Sequence, residues 1–324
     1  MNKNISFRSK LASFILSIFL CQFSTFASAS ASCTFSVTPI NFGDLTTNQG
    51  PNWHSSTNGS VTASCMASEP GQVFVCQANM GTVAPNGLQQ PMTSGSTQLS
   101  YKLAKSFWGG DNWGWGQDLS SVEFSVSLGN NTTSFPITAS TIQDQDKLPL
   151  GDYFVNNTGL SSLIYYAYSA NGEDRESACG HAIQTSADFT VSASVKPYCS
   201  VILTTPLNFQ TVGLNSTAQS TFSIFLNCSY NVPYTIALED LGNIGSQNMK
   251  TMSLVSDPSK SIYYDVYQTD SLSKSWGNGQ DGTSLHYATG SGETQIVTGY
   301  GRIPYQFFPA PGLYTGTLNV VITY

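Results

Sequence analysis

Apolar and polar residues alternate along the chain in short runs with a period of two, as in residues 122–128, 163–168, 222–226, 262–267 and 318–324. That period puts one set of side chains on a buried face and the other toward solvent, as in a half-buried β-strand. Clusters of Gly, Asn, Ser and Pro separate the runs and supply the turns. No stretch of ten or more residues carries a sustained helical period of 3.6. The pattern predicts an all-β chain of two antiparallel β-sandwich domains with immunoglobulin-like architecture.

The first thirty residues differ from the rest. Lys3, Arg8 and Lys10 precede an apolar run over 11–20, and small residues follow at Ala27, Ser28, Ala29, Ser30 and Ala31. This is the layout of a secretory signal, cleaved after Ala29 or Ala31, and the run is too short to span a bilayer. Residues 1–29 are therefore expected to be removed, leaving few residues before Cys33. Charged residues make up 10% of the sequence, against roughly 25% in an ordinary soluble domain. With 12 Lys+Arg against 19 Asp+Glu and no basic cluster, nucleic acid is not expected as a partner. Beyond Cys21 in the leader there are six cysteines, and an even number in an exported chain predicts disulfides.

The chain repeats itself. From Cys33 it reads CTFSVTPINFGDL and from Cys199 CSVILTTPLNFQTV, and a second cysteine follows in each case, Cys65 and Cys228. WGWGQD from Trp113 answers WGNGQD from Trp276, and PLGDY before Phe154 answers APGLY before Thr315. An internal duplication of this kind predicts two similar domains, 30–194 and 195–324. By position in the repeat, Cys33 pairs with Cys65 and Cys199 with Cys228, which leaves Cys76 for Cys179.

The Cys…Pro-x-Asn-Phe opening, the Trp-Gly loop and the closing Pro-Gly-x-Tyr strand resemble the spore coat protein U domain, found in subunits of archaic, Csu-type chaperone-usher pili. The resemblance is closer over residues 199–324 than over 33–168. It implies a fimbrial protein that passes through the periplasm to the cell surface. The implied partners are a periplasmic pilus chaperone, an outer-membrane usher and an adjacent subunit that donates a β-strand. Two such domains directly behind a leader match the arrangement of the family's tip adhesins, which promote attachment and biofilm formation.

Strand counting points the same way. The run LIYYAYS in the first half stands where GTLNVVITY stands in the second, but the first half continues with ADFTVSASVK, in which Phe189, Val191, Ala193 and Val195 alternate. The second half has no equivalent and is expected to lack its final strand. Phe222, Ile224, Leu226, Leu318, Val320, Ile322 and Tyr324 are the expected lining of the resulting groove. With little chain between the leader and Cys33, the protein is expected to accept a strand without donating one, and so to cap a fibre.

The first domain would then meet the target, an abiotic surface or a glycan. Trp113 matches Trp276 and reads as shared packing. Phe107, Trp108 and Trp115 lie in the Gly-rich loop SFWGGDNWGWGQD and have no counterpart, which suits contact with sugar faces or apolar surfaces. Trp53, Leu148 and Leu150 are further candidates for this contact, and Leu88 is a weaker one.

No catalytic constellation emerges. His54, His181 and His286 lie apart without i, i+4 pairing, and neither HExxH nor GxSxG occurs. Gly277, Gly279 and Gly282 satisfy GxGxxG outside any strand–turn–helix context. The acidic clusters read as solvated turns instead of a glycosidase pair, and Asp111 with Asp118 lacks calcium-loop spacing. The chain is expected to be a binding protein, with no enzymatic activity, cofactor or metal. The rival expectation is a self-contained secreted coat or lectin-like structural protein.

Overall fold

The computed structural model describes residues 29–46, 54–81, 89–105, 112–114, 117–119, 121–143, 145, 147–213, 216–240, 249–307 and 309–324. The strands of the first domain are β1 (Ala31–Val37), β2 (Ile40–Leu45), β3 (Ser56–Ala67), β4 (Gly71–Met80), β5 (Gln90–Ser94), β6 (Thr97–Ala104), β7 (Gln117–Asp118), β8 (Glu123–Val126), β9 (Gly129–Thr141), β10 (Gly151–Asn157), β11 (Ser162–Ser169), β12 (Ile183–Ser186) and β13 (Phe189–Val195). A short helix, α1 (Arg175–Cys179), starts at Asp174, whose carboxylate accepts from Ser177 N at 3.0 Å. One sheet runs β1-β3-β9-β6-β5-β10-β13-β2 and the other β12-β11-β4-β7, with β8 beside β4.

The second domain contains β14 (Cys199–Thr204), β15 (Ala218–Cys228), β16 (Pro233–Asp240), β17 (Lys250–Leu254), β18 (Asp257–Tyr267), β19 (His286–Thr289), β20 (Thr294–Ile303), β21 (Tyr314–Thr315) and β22 (Leu318–Thr323). Its sheets run β14-β15-β20-β18-β17-β21 and β19-β16-β22. The two sandwiches bury separate cores, one built around Trp113, Tyr101 and Tyr153, the other around Trp276, Tyr264 and Ile236. Burial alternates along the strands as the period of two requires, most plainly in β1 and β13.

The duplication holds at the level of single hydrogen bonds. Thr38 Oγ1 accepts from Ser60 N at 2.8 Å, and Thr205 Oγ1 from Ser223 N at 2.7 Å. Asn41 Oδ1 accepts from Gly43 N at 2.8 Å, and Asn208 Oδ1 from Gln210 N at 2.9 Å. These Asx turns carry a left-handed residue in each copy, Gly43 (φ 70°) and Gln210 (φ 60°). The second copy has one more residue between its cysteine and its proline, and a register shift between Val201 and Leu203 absorbs it at Ile202. Cys33 and Cys65 face each other across β1 and β3, Cys199 and Cys228 across β14 and β15, and both pairs are disulfide-bonded. A third disulfide, Cys76–Cys179, ties β4 to α1 in the first domain.

Candidate functional site

The two sandwiches differ most at one edge. In the first, β13 lies antiparallel to β10, with Val195 opposite Gly151 and Phe189 opposite Asn157, and parallel to β2, with Val191 opposite Ile40. Phe189, Val191, Ala193 and Val195 all point inward and are buried. Just before it, β12 crosses to the other sheet and pairs with β11. No strand of the described chain occupies either position in the second domain, where β21 and β22 end their sheets.

What remains is a cleft of about 270 Å³, walled by Thr204 to Leu207 and Phe209 on one side and Gly316 to Leu318 on the other, with Phe222, Leu238, Met252 and Tyr264 beneath. The segment 206–212 repeats β2 in sequence yet forms no strand, since the partner that would pair with it is missing. It is nonetheless held in place. Phe209 meets Tyr264 edge-on with centroids 6.0 Å apart, as Phe42 meets Tyr101 at 6.3 Å. Gly301 on β20 makes room for it, because a Cβ there would come within 2.6 Å of Leu207 and 2.9 Å of Phe209. Gly299 does the same for Phe222, whose ring also stacks on Trp276 at 6.1 Å. The walls are thus positioned before any strand arrives, so ordering them adds little to the cost of binding one.

The far wall is the turn into β21. Tyr314 donates its hydroxyl proton to Ala310 O at 2.6 Å, as Tyr153 does to Pro149 O at 2.9 Å, and Gly312 (φ 150°) matches Gly151 (φ 147°). Tyr153 is fully buried while Tyr314 is only half-buried, because Ala193 opposite Tyr153 has no counterpart. Thr204 on β14, at the rim of the cleft, is exposed, where its equivalent on β1, Val37, is buried. An apolar cleft with unpaired strand edges on both sides can pair with an incoming extended segment.

Charge lies behind the cleft. Lys250 is buried and donates from Nζ to Trp276 O at 2.9 Å; burial lowers its pKa, against the pull of Asp265 and Asp240. Burial raises Asp265, and burial with the nearby Asp240 raises Tyr264. In the first domain burial alone pushes Tyr101 up to about 12, against a weaker hydrogen bond from Asn157. His286, tilted against Trp276 at 5.5 Å, is pushed down by burial and then by Lys274. Among the described residues no group of His, Cys, Asp and Glu is arranged to hold a metal ion.

Of the residues expected to line the groove, Phe222, Leu318 and Val320 do so. Ile224 and Leu226 do not: both are completely buried within the sandwich and offer an incoming strand no surface. Ile322 is half-buried beside Ile236, and Tyr324 is exposed at the end of the edge. Pattern alone missed Leu207, Phe209, Met252 and Tyr264; the first two could have been found as the repeats of Ile40 and Phe42.

For the expected surface contact, Trp53, Leu88, Phe107, Trp108 and Trp115 lie outside the described residues. Leu148 is corrected: at 7% exposure it packs into the first core beneath its loop and cannot touch a surface. Leu150 is 41% exposed, but it sits at the domain junction, three residues after Lys147, which pairs with Glu293 of the second domain at 2.9 Å. Trp113 and Trp276 are both fully buried.

Several solved structures are similar to this chain. A chaperone-tip adhesion subunit pre-assembly complex from archaic chaperone-usher Csu pili of Acinetobacter baumannii matches at 17% identity over 90% of this chain and 100% of that one, with a TM-score of 0.48. The CupB6 tip adhesin of Pseudomonas aeruginosa matches at 14% identity over 91% and 94%, with a TM-score of 0.35. CfaE, the adhesive subunit of the CFA/I fimbria of enterotoxigenic Escherichia coli, matches at 14% over 88% and 92%, with a TM-score of 0.29. No curated protein matches the chain. The family model of the Spore Coat Protein U domain matches twice, over residues 19–154 and 185–321, one match for each sandwich. The chain therefore belongs to the Spore Coat Protein U domain family and carries its domain in duplicate.

Proposed function

We propose that the protein is an adhesin of a chaperone-usher pilus. It is exported through the periplasm, held there by a pilus chaperone, passed to an outer-membrane usher and displayed on the cell surface. The second domain, which begins after β13 and not at 195, docks by accepting a β-strand from an adjacent subunit. The first domain, which runs through Val195 at the end of β13 instead of stopping at 194, has its groove filled by its own β13, so it takes no strand from a neighbour and is left free to attach to a surface or glycan and promote biofilm formation. Its candidate contacts are the loop aromatics Trp53, Phe107, Trp108 and Trp115. The observation that carries this reading is that the second sandwich reproduces the first down to its Asx turn and tyrosine hydrogen bond, with a cleft where β13 would lie.

Energetics support the need for a partner. Burying side chains equivalent to Phe189, Val191 and Val195 is worth about 1.5–3 kcal/mol each, which is of the order of a whole domain's net stability of about 5–15 kcal/mol. The test is separate periplasmic expression of 30–196 and 197–324, with and without a peptide of residues 187–196 as a surrogate strand. The expected result is a protease-resistant first fragment in either case and a second fragment that resists protease only with the peptide. If both fragments resist protease unaided, the protein is a self-contained coat or lectin-like protein and the pilus reading is lost.

A further inference from the structure

The strand that fills the first domain's groove leads, through Lys196, Pro197 and Tyr198, directly into another sandwich. Three residues span at most about 11 Å, so that sandwich must sit against the end of the groove. One contact across this junction comes from the loop between β9 and β10. Lys147 Nζ lies 2.9 Å from Glu293 Oε1, while Lys196 N donates to Leu45 O at 2.9 Å and its Nζ lies 3.9 Å from Asp44 Oδ1.

The second domain carries the same loop in the same frame, between β20 and β21. Gln145 clamps the first loop by accepting from Ser100 N at 2.6 Å and donating to Ser100 O at 2.9 Å; Gln306 clamps the second by accepting from Tyr263 N at 2.7 Å and donating to Tyr263 O at 2.9 Å. The surfaces differ. Around Gln306 the loop presents Phe307, 77% exposed, on the rim of a recess of about 500 Å³ bordered by Tyr263 and Pro309. A strand placed as β13 is, antiparallel to the chain at Gly312 and parallel to 206–212, would end with its C-terminus at this loop.

We propose that the loop bearing Phe307 seats the body of the strand-donating subunit: a β-sandwich joined to its donated strand by a linker as short as 196–198. The inference rests on the strand-accepting reading above. The domain contact within this chain is its template, with the apolar Phe307 in the copy of the loop that carries Lys147 in the first domain. Such a contact lengthens the life of the assembled joint beyond what the strand alone provides and limits rotation between neighbours.

The test uses the full chain as acceptor and compares two probes by their dissociation rates. One is the peptide 187–196. The other is the fragment 187–324, the same strand ahead of a second-domain body, with its own groove closed by a further copy of the strand tethered after Tyr324. The body-bearing probe is expected to leave wild-type acceptor about tenfold more slowly than the peptide, the equivalent of about 1.4 kcal/mol. In the Phe307→Ser acceptor that gap should close while peptide binding stays unchanged, which also shows that the variant is folded. A gap that persists in the variant, or is absent from wild type, overturns the seat and leaves strand acceptance standing. Failure of the peptide itself to bind removes both.

Discussion

The two sandwiches share a frame and differ in what completes it. In the first, β13 closes the sheet from within the same chain, and Ile40, Phe42 and Tyr153 are buried as a consequence. In the second, Leu207, Phe209 and Tyr314 occupy the equivalent places, hold equivalent contacts and remain half-exposed. On the proposed reading, one strand fewer turns a closed sandwich into an acceptor without redesigning the rest. The groove walls keep their geometry through bonds that do not involve the strand, namely the Asx turn at Asn208, the Tyr314 hydroxyl and the clefts above Gly299 and Gly301. The first domain carries an additional constraint in Cys76–Cys179, which closes a long loop of sequence separation 103, against 32 and 29 for the other two disulfides.

The comparison breaks most severely if the first domain loses its own strand. Val191→Asp places a charge at a fully buried site and should cost more than about 4 kcal/mol, so that the first domain becomes as protease-sensitive as the second. Limited proteolysis of the full chain checks this; a first domain that still resists would show that β13 is dispensable. Replacing Cys76 and Cys179 together by Ser should destabilise the first domain by about 3–5 kcal/mol and leave the second unchanged, seen as a shift of one thermal transition of two. Peptide 187–196 at about a hundred times its Kd should stabilise the second domain by about 2.7 kcal/mol, and the same peptide with Val191→Asp should do nothing.

The tyrosine pair sharpens the comparison at a smaller scale. Tyr153→Phe removes a buried hydroxyl hydrogen bond and should cost about 1 kcal/mol in denaturant titration, whereas Tyr314→Phe should cost clearly less until the peptide is bound. The smallest effect concerns pH. The folded-state pKa of His286 is depressed, so its contribution is fully present above the unfolded value of about 6.5 and is lost as pH falls through the folded value. The second transition should therefore soften on mild acidification, and His286→Gln should remove that component. An unchanged pH profile in the variant would locate the acid sensitivity elsewhere.

Much of the fold was legible before any coordinates. Alternation marked the strands, and the two PxNF openings located both copies of the domain. The extra residue in the second copy looked like a mismatch and became a bulge at Ile202, which a comparison of spacings has no means of showing. The groove was foreseen from the unmatched run at 189–195, but its lining only in part. Alternation says that Phe222, Ile224 and Leu226 share a face, yet not that the latter two are sealed completely within the core. Leu148 read as a loop residue because its neighbours are polar and Pro-containing; the loop turns it back into the core.

The sequence by itself determined the β character, the duplication and the run at 189–195 that has no match in the second copy, because side-chain period and repetition are local properties that survive without knowledge of neighbours. Only the tertiary structure decided which apolar side chains face the open cleft, that segment 206–212 is held in place without being a strand, and that Gln145 and Gln306 clamp their loops in the same way. Those are outcomes of packing between segments distant along the chain, and a one-dimensional pattern contains no term for them.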